Sequence, residues 1–390
     1  MSAIYIHIPY CVKKCDYCDF CSVPLNESAA RYCDLLRQEI GLWNGKRKGG
    51  KAEIHSIFFG GGTPTSLPAA HIVSVLEAIH MHFSVADDAE ISIECNPKTA
   101  TEEGLALLHK AGFNRLSIGL QSADDELLGH IGRVHTYADF LHTLDIARSA
   151  DFVNINVDVM HGLPRQTQKQ YLETLRLVCD LDVEHISAYA LILEKDTPLY
   201  RQVEIEQTLS LPDEDAVADM QDAGMTYLAE RGYTRYEVSN FAKDGRECRH
   251  NLVYWNNEAY VGFGVAAHSS MPDGWASGAD KTGDTWLRAA NVEDIPVYEK
   301  RLRRNKLPTA ETIKLYASEQ MFESVMLGLR KVEGVDRAAF QARFGVAVDD
   351  VFANAIAEVS LADLWEDCAT HLRLNPRGMD MLNSVLVSFR

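Results

Sequence analysis

Hydrophobic positions in the first half of the chain follow two alternating spacings. Short runs rich in Ile, Val, Phe and Tyr, bounded by Gly, Pro or Asn, fall at 3–8 (AIYIHI), 54–59 (IHSIFF), 89–94 (AEISIE), 115–120 (RLSIGL), 152–160 (FVNINVDVM) and 184–191 (EHISAYAL), and they predict strands. Between them, 27–43, 69–83, 102–112, 136–150 and 168–180 carry helical patterns, with glycine or proline at several of the breaks. Strand–helix units of this length predict a parallel sheet, either open or rolled into a barrel.

After about residue 200 the alternation stops. Residues 211–233 read as one helix, followed by TRYEVSNF, and 246–300 read as irregular, aromatic and rich in Gly and Asn. A long helix is predicted over 309–330, opening with a Thr–Glu cap of the capping-box kind. The remainder reads as a small helical unit ending in a β-like pair, HLRLNP and SVLVSF. A boundary near 300 divides the chain into 1–300, the α/β part, and 301–390, a smaller and mostly helical C-terminal domain.

Composition narrows the function classes. At 390 residues and 46% hydrophobic, the chain can bury a sizeable core. With 38 Lys and Arg against 56 Asp and Glu, the net charge of −18 repels phosphate backbones and disfavours nucleic acid as the main partner. No apolar run reaches the length of a membrane span, and MSAIYIHIPYC lacks the basic region and cleavage site of a signal peptide, so a cytoplasmic location is expected. The cysteines agree. Cys33, Cys95, Cys179, Cys248 and Cys368 are scattered singly, and an odd total of nine argues against a secreted disulfide scaffold.

The other four cysteines fall in CVKKCDYCDFC, residues 11–21. Cys11, Cys15 and Cys18 on one short loop can face one point. A 4Fe-4S cluster on three thiolates keeps one iron open, whereas zinc would call for a further ligand pair downstream, or for Cys21 in an unusually compact four-thiolate set. A second stretch, GGGTPT at 60–65, directly follows the strand IHSIFF. No Gly-Lys-Ser/Thr follows it, so it is not a Walker loop. Glycines there let a backbone approach a ligand closely, although a plain βα turn has the same composition.

Together, Cys-x3-Cys-x-Tyr-Cys after the first strand and the glycine stretch resemble the radical S-adenosylmethionine (SAM) superfamily. With YIHIPYC, FFGGGTPT, IECNP, SIGLQS, GRVHT and VDVMHGLP in order over roughly the first 200 residues, the chain more closely resembles the oxygen-independent coproporphyrinogen III oxidase family. The resemblance implies a partial (β/α) TIM-like barrel of the radical SAM type. It implies a 4Fe-4S cluster on Cys11, Cys15 and Cys18, with SAM chelating the fourth iron and an outside electron donor such as a flavodoxin or ferredoxin. Cys21 recurs in the family without counting as a ligand. Tyr17 is implied against the adenine and Tyr5 beside the SAM site. Gly61, Gly62 and Thr63 offer backbone and hydroxyl contacts. Glu94 accepts from an amino or ribose hydroxyl group, and Gln121 faces the same mouth. Arg133 pairs with the SAM carboxylate, Asp158 accepts from ribose hydroxyls and Ala190 supplies backbone near the adenine.

Two features divide the family. The chain begins ten residues before Cys11, where the oxidase proper carries a longer extension, and HNLVYW at 250–255 marks the heme chaperone branch. The latter implies heme as a cofactor or cargo, with His250 offering an imidazole to the iron, Tyr254 and Trp255 packing on the porphyrin, and acceptor hemoproteins as partners. Cys248 and His268 are the alternative iron ligands. Cys248-Arg249-His250 is not a c-type attachment site. The expectation is therefore a heme chaperone. The competing expectations are coproporphyrinogen III decarboxylation, or a related radical methylation or heme-degrading reaction. A tRNA-modifying enzyme is disfavoured by the acidity. The resemblance leaves room for a homodimer and for peripheral attachment to a membrane.

Overall fold

The computed structural model describes residues 2–44, 53–273 and 285–389. One sheet of twelve strands organises it. In chain order these are β1 (Ser2–Ile8), β2 (Glu53–Gly61), β3 (Ser84–Cys95), β4 (Arg115–Gln121), β5 (Ile155–His161), β6 (His185–Ala190), β7 (Thr234–Arg235), β8 (Asn240–Ala242), β9 (Ala259–Phe263), β10 (His268–Pro272), β11 (Trp286–Asn291) and β12 (Thr309–Leu315). Their order in space is β12-β11-β10-β9-β1-β2-β3-β4-β5-β6-β8-β7. The seven from β9 to β6 are parallel, and the flanking pairs on both edges are antiparallel. This is the partial TIM-like barrel, with helices Ser28–Asn44, Ala69–His82, Glu102–Lys110, Tyr137–Ser149 and Gln168–Asp180 in the crossovers.

Strand residues alternate between the two faces of a sheet, and here the faces differ in chemistry. Ile4, Ile6, Ile8, Ile57, Phe59, Ile91, Ile93, Leu116, Ile118, Leu120, Ile155, Val157, Val159 and Ile186 face outward into the core shared with the helices. Each such side chain contributes about 1.5–3 kcal/mol. The inward row is polar: Tyr5, Ser56, Glu90, Glu94, Arg115, Ser117, Asn156, Asp158, His185 and Ser187. A one-residue slip would exchange the rows, so the register is strongly fixed.

Three segments depart from the sequence expectation. The stretch 246–300 is ordered rather than irregular where it is described: helix Arg249–Trp255, then β9 directly beside β1, β10, β11 and helix Ile295–Leu302. The single helix expected over 309–330 is β12 followed by helix Ala317–Gly328. Pairing of Thr309–Leu315 with β11 overrides its helix-like composition. The first four residues of SVLVSF lie in helix Leu382–Val387 rather than a strand, because Leu382, Val385 and Leu386 are buried at helical spacing. A second hydrophobic core, including Val325, Leu329, Phe340, Val348, Leu372 and Leu386, lies under the C-terminal helices. Among the described residues no helix is long and apolar enough to cross a membrane.

Candidate functional site

The C-terminal ends of the parallel strands form a mouth, and the cysteine loop lies across it. Tyr10–Cys11 pairs in parallel with Val23–Pro24, so the loop between them closes on its own short ladder. Val23 N–H donates to the Pro9 carbonyl at 2.7 Å and Leu25 N–H to that of Cys11 at 2.8 Å. Further along, Asp16 N–H bonds the Ile131 carbonyl, and Leu199 N–H bonds that of Asp16. Tyr17 packs against the small cluster of Leu127, Ile131, Met160, Leu163 and Leu199. Cys11 is buried, Cys15, Cys18 and Cys21 are half-buried, and all four are free thiols.

Glycine is required where β2 meets this loop. Gly61 has φ +108°, and a Cβ on it would stand 2.5 Å from the His7 ring; one on Gly62 would stand 2.7 Å from the Tyr10 carbonyl oxygen. Both positions press the glycine stretch against the base of the cysteine loop. Their N–H groups are spent inside the protein: Gly61 on Glu94 Oε2 at 3.0 Å, Gly62 on the Ile8 carbonyl and Thr63 on that of Tyr10, both at 2.8 Å. A ligand can therefore reach only carbonyl oxygens or the Thr63 hydroxyl here.

Arg133 ties the mouth together. Its Nη2 donates to the Gly119 carbonyl at 2.6 Å, and its Nη1 to Asn96 Oδ1 at 2.9 Å and to Cys15 Sγ at 3.4 Å. Asn96 Nδ2 passes the chain on to Thr63 Oγ1 at 2.7 Å, and that hydroxyl donates to Cys11 Sγ at 3.6 Å. A Cβ at residue 119 would lie 2.6 Å from the guanidinium, so Gly119 makes room for it. Gln121 follows with φ +71°, at a break in register between β4 and β5. Burial lowers the Arg133 pKa, but the facing Tyr17, Cys15 and Asp158 outweigh it and hold the cation firmly charged.

These donors fit a cluster. Cationic and hydroxyl groups already point at two of the three sulfurs, which is how a protein stabilises thiolate ligands. Burial raises the pKa of the Cys11 and Cys18 thiols, so iron must displace their protons. Among the described residues no three His, Cys, Asp or Glu side chains converge to hold a single metal ion. The Cys21 thiol instead donates to the Glu293 carbonyl at 3.5 Å, and His7 Nε2 lies 2.8 Å from the Cys21 carbonyl oxygen.

Below the mouth lies a cavity of about 200 Å³, walled by Tyr5, Phe58, Glu94, Asp158, Tyr189, His250 and Tyr254 among others. Burial and the neighbouring Asp158 push the Glu94 carboxyl up to about 8. Asp158 is likewise raised by burial, against its bonds to Asn156 and Ser187. Helix Arg249–Trp255 plugs the far end. Glu90 caps it, accepting from Arg249 N–H at 3.0 Å and His250 N–H at 3.2 Å. His250 is 1% exposed. Its Nδ1 lies 2.9 Å from Ser56 Oγ, its Nε2 3.0 Å from the Tyr254 hydroxyl, and its ring stacks on Phe58 at 5.2 Å. Neither nitrogen is open to an iron in this arrangement. Of the alternatives, Cys248 is buried against Glu90 and His268 is exposed on β10.

The fold thus brings Tyr5, Gly61, Gly62, Thr63, Glu94, Arg133 and Asp158 to the mouth and the cavity beneath it. Ala190 ends β6 beside His161 of β5, with its side chain on the outward row. His250 approaches from the opposite end of the barrel. Sequence reasoning missed Asn96, Arg115, Ser117, Asn156 and Tyr189. Their signal is a period-2 row of polar residues inside otherwise apolar strands, which marks a lined lumen.

A family model described as the Radical SAM superfamily matches residues 5–178, and one described as the HemN C-terminal domain matches 315–381. The heme chaperone HemW of Bacillus subtilis (strain 168) is 35% identical over 100% of this chain and 99% of its own length. HemW of Escherichia coli (strain K12) is 32% identical over 99% of this chain and 97% of its own. The mitochondrial radical S-adenosyl methionine domain-containing protein 1 of Mus musculus is 36% identical, over 99% and 87%. The solved coproporphyrinogen III oxidase (HemN) from Escherichia coli, a radical SAM enzyme, superposes with a TM-score of 0.83 over 100% of this chain and 89% of its own, at 23% identity, which shows a shared fold. The chain belongs to the HemW family of heme chaperones in the radical SAM superfamily.

Proposed function

We propose that the protein is a heme chaperone, which binds heme, carries a 4Fe-4S cluster on Cys11, Cys15 and Cys18, binds SAM at the barrel mouth and transfers heme to acceptor hemoproteins. The relatives named as heme chaperones support the heme half of this reading. The observation that carries the cluster half is the chain Arg133–Asn96–Thr63, which ends on Cys15 and Cys11.

A bound cluster supplies an electron for cleavage of the SAM sulfonium. The chain's own residues would bind and orient. The Arg133 guanidinium, whose Nε is without a partner, would pair with a carboxylate. Asp158 would accept from ribose hydroxyls. Glu94, protonated near neutral pH while the site is empty, would ionise as a cationic amino group arrives beside it. The Gly60–Thr63 carbonyls close that side, Tyr17 and the Ala190 backbone would border the adenine, and Tyr5 and Gln121 would line the approach. The nine free thiols fit a reducing, cytoplasmic setting, with a small electron-transfer protein as reductant.

Anaerobically reconstituted protein should bind heme and show no sustained turnover of coproporphyrinogen III with SAM and reductant. Conversion to protoporphyrinogen IX over many cycles would replace the chaperone reading with the oxidase.

A further inference from the structure

The outward row of the central strands is apolar from mid-strand to C-terminus except at the end of β5, where His161 stands. The side chain is 2% exposed. Both ring nitrogens lack a hydrogen-bond partner, and the ring leans on Tyr171 at 5.2 Å. An imidazole buried without either bond is costly, which is the opposite of His250, satisfied on both sides. Burial lowers the His161 pKa to about 4, so the ring is neutral with a lone pair to give.

His161 lines a cavity of about 370 Å³ between the outer face of β6 and β8, helix Glu214–Glu230 and the C-terminal helices. That volume lies in the range of ligand sites. Two thioethers, Met225 and Met379, border it with Phe241 and Leu382. Two cations do as well. Arg235 donates to the Glu237 and Val238 carbonyls and to Met225 Sδ, and Arg330 to the Met326 carbonyl. Burial lowers the pKa of both. Among the described residues neither forms an ion pair, and Asp380 is the only carboxylate in the lining. A neutral imidazole, the Met379 thioether, apolar side chains interspersed with polar ones and two guanidinium groups against one carboxylate match a metalloporphyrin: nitrogen or thioether for iron, the apolar side chains for the ring, Arg for two carboxylates.

We propose that this cavity is a heme-docking station, separate from the His250 plug, in which the His161 imidazole meets the iron and Arg235 and Arg330 meet the propionates. It rests on the reading of heme as cargo. The cavity is too small to enclose a whole porphyrin, so one edge stays outside, where an acceptor protein can reach it.

The test is heme titration of the anaerobically reconstituted full chain, followed through the Soret band. His161→Ala should weaken uptake of the first equivalent by about 10- to 100-fold, at least the loss seen when a mere supporting partner of a metal ligand is removed. It should also shift the Soret band, and free imidazole should restore it. A purely structural role would not respond to imidazole. Met379→Trp, which fills the cavity from the other wall and leaves His161 in place, should also lower uptake. Iron content and SAM binding report folding of both variants. Wild-type heme affinity and spectrum in His161→Ala would overturn the proposal while leaving the cargo reading intact. If that variant does not fold, unchanged uptake in Met379→Trp overturns it. A wild-type protein that takes up no heme removes the cargo reading itself.

Discussion

The two ends of the barrel lumen are built from the same polar row but to different specifications. At the mouth, hydrogen bonds run through Arg133, Asn96 and Thr63 and stop on sulfur, glycines keep side chains out of the way, and Glu94 holds a proton it would lose if solvated. At the far end most groups are answered by another, Arg115 Nε and Trp255 Nε1 excepted. Glu90 caps a helix, His250 is bonded on both nitrogens, and buried Arg115 lies among Glu90, Cys248 and Asp158. Polar residues are needed at both ends, but only at the mouth do their hydrogen bonds end on the cluster thiols.

The largest effect expected at the mouth is all-or-none. Reconstituted protein should hold about four irons per chain, as one 4Fe-4S centre does, and Cys11→Ser, Cys15→Ser or Cys18→Ser should abolish them. Cys21→Ser should keep most, since its thiol points to Glu293. Equal iron loss from Cys21→Ser would make the mouth a four-thiolate site.

Arg133→Ala comes next. Loss of a hydrogen bond to a charged group should weaken SAM binding by about 1.5–3 kcal/mol, read by calorimetry under anaerobic conditions, while most of the iron stays because all three thiolates remain, although Cys15 Sγ loses one donor. Unchanged SAM affinity would reduce Arg133 to a brace for Asn96 and Gly119.

How much of this contrast could be read from the chain depends on distance along it. The six strands β1 to β6 were visible because their outward residues form apolar runs between turn signals. β9 was not, since its place beside β1 is set by a contact more than 250 residues away in sequence. The cluster cysteines were visible because their spacing is local. Asn96 was not, because its role exists only through Arg133, 37 residues on. Arg115 reads as a charge at the start of a strand, yet it is 2% exposed in the lumen. HNLVYW was recognisable as a motif, but nothing in six residues says that Glu90 and Ser56 would bind it from β3 and β2. Alternation places His161 on the outward row after Ile155, Val157 and Val159, but nothing in the sequence says that a cavity meets it there.

Acid and base should act on the two ends with opposite sign. The Glu94 pKa is raised by burial to about 8 from an ordinary 4.5. The folded chain therefore holds a proton that the unfolded chain releases, and the stability this group contributes falls as pH rises from about 4.5 towards 8. The His250 pKa is lowered to about 3 from 6.5. The unfolded chain binds that proton first, so stability falls as pH drops below about 6.5. Each slope approaches about 1.4 kcal/mol per pH unit. Denaturant melts of the metal-free protein should show Glu94→Gln flattening the neutral limb and His250→Phe flattening the acid limb. A variant that flattens the wrong limb, or neither, would show that its parent group is not buried in that protonation state.

Tyr254→Phe carries the smallest expected effect and bears most directly on the contrast. It deletes one hydroxyl at 3.0 Å from His250 Nε2 and leaves the ring that packs edge-on at 5.0 Å. The net loss for one hydrogen bond is about 0.5–1.5 kcal/mol, read as a lower melting midpoint at fixed pH. The imidazole is then free on one side, with the lumen cavity beside it. If the far end is a plug and heme docks at His161, heme affinity and the Soret band should stay at wild-type values while stability falls. If His250 is the iron ligand and Tyr254 its latch, removing the hydroxyl should tighten heme binding and change the spectrum. That outcome would make the far end a second binding site and dissolve the division between the two ends.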